Sequence, residues 1–308
     1  MFNGPTIFEG PCSSVSTTPD GKTVWVAQRP NDADPGTIIE IDADTGRRRS
    51  FASGINTQAP LPFTTTTGEG LAAICEGTYG RADGSLEIWT NLQGTPKRKT
   101  LYVGDTPNHL LIHRGRAYVT VNLSHRVLVI DLATQKPVDT LYVGTSGYDG
   151  PRECIIDTAS PDGKERLYVT THTGDVRIFD LSTGERIGSL DVDAKSEGLA
   201  IIGRELWVTR TFVKGSYEVT SDIAVFNLDG PSSVQTDVHR TSPAAILALG
   251  DMIHIPFVME DDATLTDVAG KTTPVSAVVS DAQTLDCRHL PSGVYALRSG
   301  QHSVTIIR

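Results

Sequence analysis

The 308-residue chain has only four cysteines, and they lie far apart. None of them forms the Cys-x-x-Cys pair that a zinc ribbon needs, and their spacing is unlike that of a disulfide-dense domain. We therefore expect buried thiols, with a single disulfide between Cys12 and Cys287 left open as an alternative. The four are Cys12, Cys75, Cys154 and Cys287.

Long apolar runs are also missing, since no stretch approaches the roughly 18 residues of a membrane-spanning helix. Residues 1–5 do not combine a charged region with an apolar one, so no signal peptide is expected. These absences predict a soluble chain without a membrane partner, and they leave its compartment unassigned.

Positive charge is scarce, because 27 Lys and Arg stand against 37 Asp and Glu and the net charge is −10. Such a field repels nucleic-acid phosphates and anionic lipids, so no nucleic-acid partner is expected. Two basic runs, residues 47–49 and 97–99, each open a candidate outer strand. Charges at a strand edge block edge-to-edge pairing, which favours a solvated edge over nucleic-acid binding for both runs.

Several catalytic signatures are absent from the chain. It has no Gly-x-Ser-x-Gly elbow, no phosphate-binding glycine loop and no His-Glu-x-x-His motif. We accordingly expect neither a metal ion nor another cofactor.

A repeat is present within residues 106–192, where two consecutive units are nearly copies. Each unit has an inner apolar strand, a Tyr-Val-Thr strand at residues 118–120 or 168–170, and an apolar strand that ends in Asp131 or Asp180. Short strands that repeat about every 45 residues are typical of β-propeller blades.

The same unit extends along the chain, and it predicts an all-β fold with residues 1–308 in a single seven-bladed propeller domain. Residues 242–268 are assigned to blade six and residues 284–307 to a last blade with only three strands. Residues 5–8 are predicted to complete that blade, because ring closure removes exposed sheet edges.

Blade two has two candidate registers. The favoured one places the inner strand at residues 64–67, the second strand at residues 71–75 and the third from residue 86. This register keeps the spacing between blades at about 45 residues. The alternative opens the inner strand at residue 69, because Glu-Gly-Leu-Ala recurs at residues 197–200.

The segments at residues 118–122 (Tyr-Val-Thr-Val-Asn) and 168–171 (Tyr-Val-Thr-Thr) resemble YVTN-type β-propeller repeats, with Trp in place of Tyr at Trp25 and Trp207. The family is similar to the wider group of seven-bladed, WD40-like propellers, which includes lactonase-like proteins, streptogramin-lyase-like enzymes and secreted surface proteins. Such motifs specify packing and say little about chemistry.

The resemblance implies a ligand-binding face where the inner strands begin and where the loops between second and third strands lie. Two carboxylates beside an arginine and a histidine there could perform general acid–base chemistry. The alternative is that Arg152, Glu153 and Glu197 form an ion-pair network between blades. The candidate catalytic residues are Glu153, Glu197 and His109, and the candidate substrate-binding residues are Arg152, Asn108, His172, Arg210 and Tyr217.

Three histidines occupy equivalent loops in three blades, namely His125, His172 and His302. Because loops of different blades lie on an outer ring, we interpret them as surface turn histidines and predict no metal site. Asp261 and Asp286 fall on the same face.

Two functions remain open. The first is a small-molecule-binding propeller that uses its central funnel, as a lyase, isomerase or lactone hydrolase without a redox cofactor. The second is a non-catalytic scaffold that contacts a protein partner through an insertion at residues 210–221 and an acidic loop at residues 260–262.

Overall fold

The computed structural model describes residues 10–229 and, beyond them, residues 246–247, 252–254, 263–267, 271–274, 279–281, 284–286, 290–291, 294–299 and 302–307. Within these residues the regular elements are β-strands and one 3-10 turn, η1 (Asn122–Ser124). In the same part of the chain no helix is long and apolar enough to cross a membrane. The predicted all-β class is confirmed.

Four antiparallel sheets of four consecutive strands come first, which confirms the predicted unit for this part of the chain. Sheet 1 contains β1 (Cys12–Thr17), β2 (Thr23–Gln28), β3 (Pro35–Asp42) and β4 (Arg48–Ile55). Sheet 2 contains β5 (Thr57–Thr65), β6 (Gly68–Cys75), β7 (Gly84–Thr90) and β8 (Lys97–Gly104). Sheet 3 contains β9 (Pro107–His113), β10 (Arg116–Val121), β11 (Arg126–Asp131) and β12 (Lys136–Tyr142). Sheet 4 contains β13 (Pro151–Asp157), β14 (Arg166–Thr171), β15 (Asp175–Asp180) and β16 (Arg186–Asp191).

The turn after β1 shows why the chain reverses where it does. Asp20 accepts hydrogen bonds from Thr18 Oγ1 at 2.7 Å and from the backbone N–H of Lys22 at 3.1 Å. Gly21 has a φ of +71°, which a residue without a Cβ adopts at little cost. Residues 160–164 repeat this turn before β14, with the same aspartate-to-backbone hydrogen bond at 3.1 Å.

Sheet 2 decides between the two registers of blade two. Strands β6 and β7 contain the predicted second and third strands, so the favoured order is confirmed. The predicted inner strand was wrong in extent, because β5 runs over Thr57–Thr65 and residues 66–67 form the turn. A register shift between Gln58 and Leu61 and the prolines at positions 60 and 62 conceal this strand in the sequence.

Each sheet packs face to face on the next one along the chain. Between sheets 2 and 3, the side chains of Ile74 and Leu86 belong to one buried cluster with Val119 and Ile130. Further buried clusters join sheets 1 and 2, sheets 3 and 4, and sheet 4 and the strands that follow it at residues 199–227. The apolar second and third strands of the repeat therefore supply the core on both of their faces.

Sheet 5 has an interrupted inner strand. Its strands are β17 (Ala194–Lys195), β18 (Leu199–Ile202), β19 (Glu205–Val213) and β20 (Val219–Asn227), and both β17 and β18 pair with β19. The predicted insertion at residues 210–221 is largely a continuation of the β19–β20 hairpin, in which Phe212 pairs with Val219. β-Branched and aromatic residues in this segment favour the longer hairpin over a loop.

The C-terminal strands pair differently from the prediction. They are β21 (Ile246–Leu247), β22 (Met252–His254), β23 (Thr264–Asp267), β24 (Thr272–Pro274), β25 (Val279–Asp281), β26 (Thr284–Asp286), β27 (Val294–Ser299) and β28 (His302–Ile307).

The prediction placed β22 and β23 in blade six and β26 to β28 in the last blade. Instead β23 pairs with β27 and β22 pairs with β26, which gives a five-stranded sheet and a three-stranded sheet. Local alternation places a strand but does not choose its partner, so the assignment of these strands to blades was wrong. The predicted closing strand at residues 5–8 lies outside the described residues.

Three of the four cysteines are described, and all three are free thiols. Cys75 and Cys154 are buried, as predicted, whereas Cys12 is exposed. A disulfide at Cys12 is therefore not formed in this structure, and Cys287 lies outside the described residues.

Candidate functional site

The inner strands of sheets 3, 4 and 5 are each interrupted near the end where they begin. Asn108 is bulged out of β9, residues 152–153 are bulged out of β13, and residues 196–198 separate β17 from β18. Bulges break the regular alternation of side chains and are frequent beside functional sites. The candidate residues thus occupy equivalent places in three neighbouring sheets.

A threonine of the second strand holds each interruption. This threonine ends the Tyr-Val-Thr or Trp-Val-Thr motif, and its hydroxyl forms a hydrogen bond with a polar group of the interrupted segment. The motif that resembles a packing signature therefore also positions the candidate site. The hydrogen bonds run from Thr120 Oγ1 to Asn108 Oδ1 (2.8 Å), from the Glu153 N–H to Thr170 Oγ1 (3.0 Å), and from the Gly198 N–H to Thr209 Oγ1 (2.8 Å).

His109 of sheet 3 faces Glu153 of sheet 4, with Nε2 and Oε1 separated by 3.7 Å. The backbone N–H of Cys154 donates to His109 Nδ1 at 3.4 Å, which assigns the imidazole proton to Nε2. Burial lowers the pKa of His109 to about 4, so the ring is neutral at pH 7. The separation exceeds a hydrogen bond and lies within reach of proton transfer through one intervening oxygen atom.

Glu153 is a carboxyl without a cationic partner in the described part of the chain. The pKa of Glu153 is raised to about 7, mainly by burial and to a smaller extent by the charge of Glu197, against a hydrogen bond from the Leu199 N–H that lowers it. Near neutral pH this group is therefore divided between its acid and its base form.

Glu197 has the opposite surroundings. Its Oε2 accepts a hydrogen bond from Arg152 Nε at 2.8 Å, and its Oε1 lies 2.6 Å from His172 Nε2. Burial would raise the pKa of Glu197, but the hydrogen bond from His172 and the charge of Arg152 together hold it below its usual value. Glu197 is thus ionised at neutral pH.

The alternative of a structural ion-pair network accounts for part of the site. Arg152, Glu197 and His172 do form such a network between sheets 4 and 5. Glu153 has no place in it, since its only ion-pair neighbour among the described residues is the neutral His109.

Aromatic rings extend the site towards the hairpin. Tyr217, in the β19–β20 turn, lies 6.2 Å from the His172 ring, 5.4 Å from the Phe212 ring and 6.1 Å from the Tyr148 ring, measured between centroids. The candidates His172 and Tyr217 are therefore brought to one place.

Arg210 is not brought to this place. Its Nη1 lies 3.2 Å from Asp222 Oδ2, and its Nη2 donates to the Asp193 carbonyl at 3.5 Å.

Sequence reasoning missed two residues of the site, Tyr148 and Lys195. The Nζ atom of Lys195 lies 3.3 Å from the Tyr217 ring centroid and 4.4 Å from the Tyr148 centroid. A lysine at the start of an inner strand was the available signal.

The turn histidines have separate partners. His125 Nδ1 lies 2.7 Å from Asp149 Oδ1, whereas His172 contacts Glu197. Among the described residues no group of three or more His, Cys, Asp or Glu side chains is arranged to hold a metal ion. The side chains of His302 and Asp286, and the acidic loop with Asp261, lie outside the described part.

No family model and no curated protein matches the sequence. Among solved structures, the chain is similar to the RRP9 WD40 repeats, with 16% identity and a TM-score of 0.52 over 72% of this chain and 62% of that one. It is also similar to Kuenenia stuttgartiensis hydrazine synthase, with 18% identity and a TM-score of 0.52 over 92% of this chain and 75% of that one. The chain has a β-propeller repeat fold.

At these identities the likeness concerns the propeller fold alone, and this chain spans less than two thirds of the RRP9 chain it matches. The YVTN family remains a prediction, because no family model supports it. In propeller terms, the candidate site lies across three consecutive blades, sheets 3 to 5.

Proposed function

We propose that this propeller binds a small molecule at the face that carries His109, Glu153 and Glu197, and that it catalyses a proton-transfer reaction there. The observation that carries the proposal is the pKa of Glu153, raised to about 7 in a carboxyl that no arginine or lysine of the described chain neutralises. A general acid or base works best when its pKa is close to the working pH. A purely structural carboxyl would be held ionised, as Glu197 is.

The two facing groups have complementary roles. Glu153 accepts a proton, either from a carbon atom of the substrate in lyase or isomerase chemistry or from an attacking water in lactone hydrolysis. The neutral His109 donates a hydrogen bond from Nε2 to the oxygen on which negative charge develops. None of these reactions needs an activated serine or a redox cofactor.

Binding residues surround this pair. Asn108, Arg152, His172 and Tyr217 are proposed to contact the substrate, and Glu197 holds Arg152 and His172 in position through bonds of 2.8 and 2.6 Å. Arg210 is left out of the proposed site, because its guanidinium pairs with Asp222.

We also propose that the ring contains seven blades in one domain, with residues 5–8 as the last strand. The regular starts of the inner strands support this. At about 45 residues per blade, the 79 residues after residue 229 are long enough for one blade and three strands of another, which residues 5–8 would complete. In addition, no described strand pairs with the outer edge of β28 at residues 302–305. The inner strands of the five described blades begin at Cys12, Thr57, Pro107, Pro151 and Ala194.

A metabolite screen by thermal shift at pH 7 tests the catalytic proposal, followed by turnover assays on each ligand that raises the melting temperature. Glu153→Gln is expected to bind such a ligand and to lose about a hundredfold in turnover. Glu185→Gln, at an exposed carboxyl outside the site, is the matched control. Unchanged turnover in Glu153→Gln, or a wild type that no metabolite stabilises, would contradict the proposal.

A second candidate function is a non-catalytic protein-interaction scaffold. The β19–β20 hairpin favours it, because Val213, Tyr217 and Val219 are 39%, 54% and 74% exposed there. The other predicted contact, residues 260–262, lies outside the described residues.

The scaffold is tested by replacing residues 212–219 with a two-residue Asn-Gly turn. If this variant loses one specific partner in a pull-down while metabolites still fail to stabilise the wild type, the scaffold is favoured over the enzyme. Equal partner recovery by both chains would remove the support that the hairpin provides.

A further inference from the structure

Lys195 is a lysine whose side chain is almost completely buried, with only 3% of the residue exposed. Buried ammonium groups are normally paired with a carboxylate, because an isolated charge is costly to remove from water. In the described part of the chain, however, no carboxylate forms an ion pair with Lys195, and Nζ donates no hydrogen bond. Within the described residues its charge is therefore unmatched.

Two tyrosine rings hold the ammonium in place. Lys195 Nζ lies 3.3 Å from the centroid of Tyr217 and 4.4 Å from that of Tyr148, and the two rings meet edge to face. Contact with the ring faces stabilises a cation but satisfies none of its hydrogen-bond donors with an oxygen atom. Tyr217 and Tyr148 are themselves 54% and 58% exposed, so the two rings are open to solvent.

The ammonium adjoins the proposed substrate-binding residues. Tyr217 contacts the ring of His172, which bonds to Glu197, and Glu197 in turn bonds to Arg152. Because Glu197 already compensates the positive charge of Arg152, Lys195 remains the uncompensated cation of this cluster. The site is thus locally suited to an anion, although the whole chain has a net charge of −10.

We propose that Lys195 binds the carboxylate of a small monocarboxylic acid, whose apolar part packs on Tyr148, Tyr217 and Phe212. This inference rests on the proposed function and names the substrate class of the same site. A single ammonium matches one negative charge, whereas a phosphate dianion would be left partly unneutralised close to Glu197. The aromatic walls add apolar contact area that inorganic anions cannot use.

Isothermal titration at pH 7 with benzoate and with benzamide, its neutral isostere, tests the proposal. Wild type is expected to bind benzoate at least about tenfold more tightly than benzamide, since a charge-assisted hydrogen bond contributes that much. Lys195→Met should lose this preference and Lys195→Arg should keep it. Lys214→Met is the matched control, because Lys214 lies in the same hairpin turn as Tyr217 and pairs with Asp191 and Asp193.

Equal binding of benzoate and benzamide, tighter binding of inorganic phosphate, or an unchanged preference in Lys195→Met would overturn the proposal. If Lys195→Met does not fold, NMR of the ¹³C-dimethylated wild-type lysines replaces it, with the Lys195 signal assigned from Lys195→Arg. A saturable benzoate-induced shift of that signal supports the proposal, and the absence of a shift refutes it.

The two proposals fail in different ways. If metabolites stabilise the wild type and their turnover needs Glu153, but benzoate does not bind, the carboxylate inference is wrong and the proposed function stands. If benzoate binds through Lys195 while Glu153→Gln turns over every substrate found, the carboxylate site stands and the acid–base role of Glu153 is wrong.

Discussion

Glu153 and Glu197 occupy equivalent interruptions of neighbouring inner strands, yet their pKa values are displaced in opposite directions. Burial dominates at Glu153, whereas His172 and Arg152 outweigh burial at Glu197. A pair of carboxyls separated in this way has one member suited to exchange a proton and one member that stays ionised. Four predictions concern these residues and the fold that positions them.

The wild type is expected to lose stability as the pH rises because Glu153 must ionise in a buried place, and Glu153→Gln is expected to abolish this loss. The pKa of Glu153 is about 7 in the fold and ordinarily 4.5, so between these values the folded chain retains a proton that the unfolded chain has released. Stability of the wild type therefore falls as the pH rises through this window. The free energy of unfolding of the variant should exceed that of the wild type by about 2 kcal/mol at pH 8, and the two should not differ in this way at pH 4.

Urea denaturation between pH 4 and pH 8 measures this difference in the free energy of unfolding. Glu185→Gln serves as the control, because its carboxyl is exposed. A gain for Glu153→Gln that does not grow with pH would contradict the raised pKa.

His109 is expected to lower the stability of the fold as the pH falls, whereas Glu153 lowers it as the pH rises. Burial lowers the pKa of His109 from 6.5 to about 4, so the unfolded chain takes up a proton first as the pH falls below 6.5. The wild type should lose stability over that interval, and His109→Gln should lose less. An NMR titration of the imidazole Cε1–H checks the pKa directly, and a midpoint near 6.5 would show that the ring is not desolvated.

Thr170→Val is expected to loosen the bulge that carries Glu153. The substitution keeps the side-chain volume but removes the acceptor of the Glu153 N–H, which lies 3.0 Å from Thr170 Oγ1. An unsatisfied buried donor costs about 1 to 3 kcal/mol, to be measured by urea denaturation. Thr37→Val in β3, at a half-buried threonine outside the site, is the control, and an equal effect of both changes would argue against a special role of Thr170.

Phe179→Ala tests the packing between sheets 3 and 4. Phe179 is 1% exposed and lies in the cluster that joins these sheets, so truncation should lower the free energy of unfolding by about 3 to 5 kcal/mol. Val138→Ala, at a residue that is 51% exposed, should change it little. Comparable losses in the two variants would mean that the sheets do not share this core.

Local patterns predicted much of the described fold because its interactions are close in sequence. The turns that follow β1 and precede β14 are held by aspartate side chains that bond the backbone two residues away, and consecutive strands pair as hairpins. Where this locality fails, the prediction failed too. β5 is disguised by two prolines and a bulge. β22 pairs with β26, whose residues lie 30 to 34 positions later in the chain, and alternation does not encode this choice of partner.

The features of the candidate site also divide into those that follow from local sequence and those that depend on contacts between blades. The sequence by itself determined the repeat, the Tyr-Val-Thr strands and the placing of His109 and Glu153 at equivalent inner-strand starts, because these follow from short-range periodicity and turn chemistry. Only the tertiary structure decided that Glu197 is bound by Arg152 and His172, that Glu153 has no counter-charge among the described residues, and that Lys195 lies between two tyrosines. Burial and partners across blades set the charge of each group, and both exist only once the sheets are packed together.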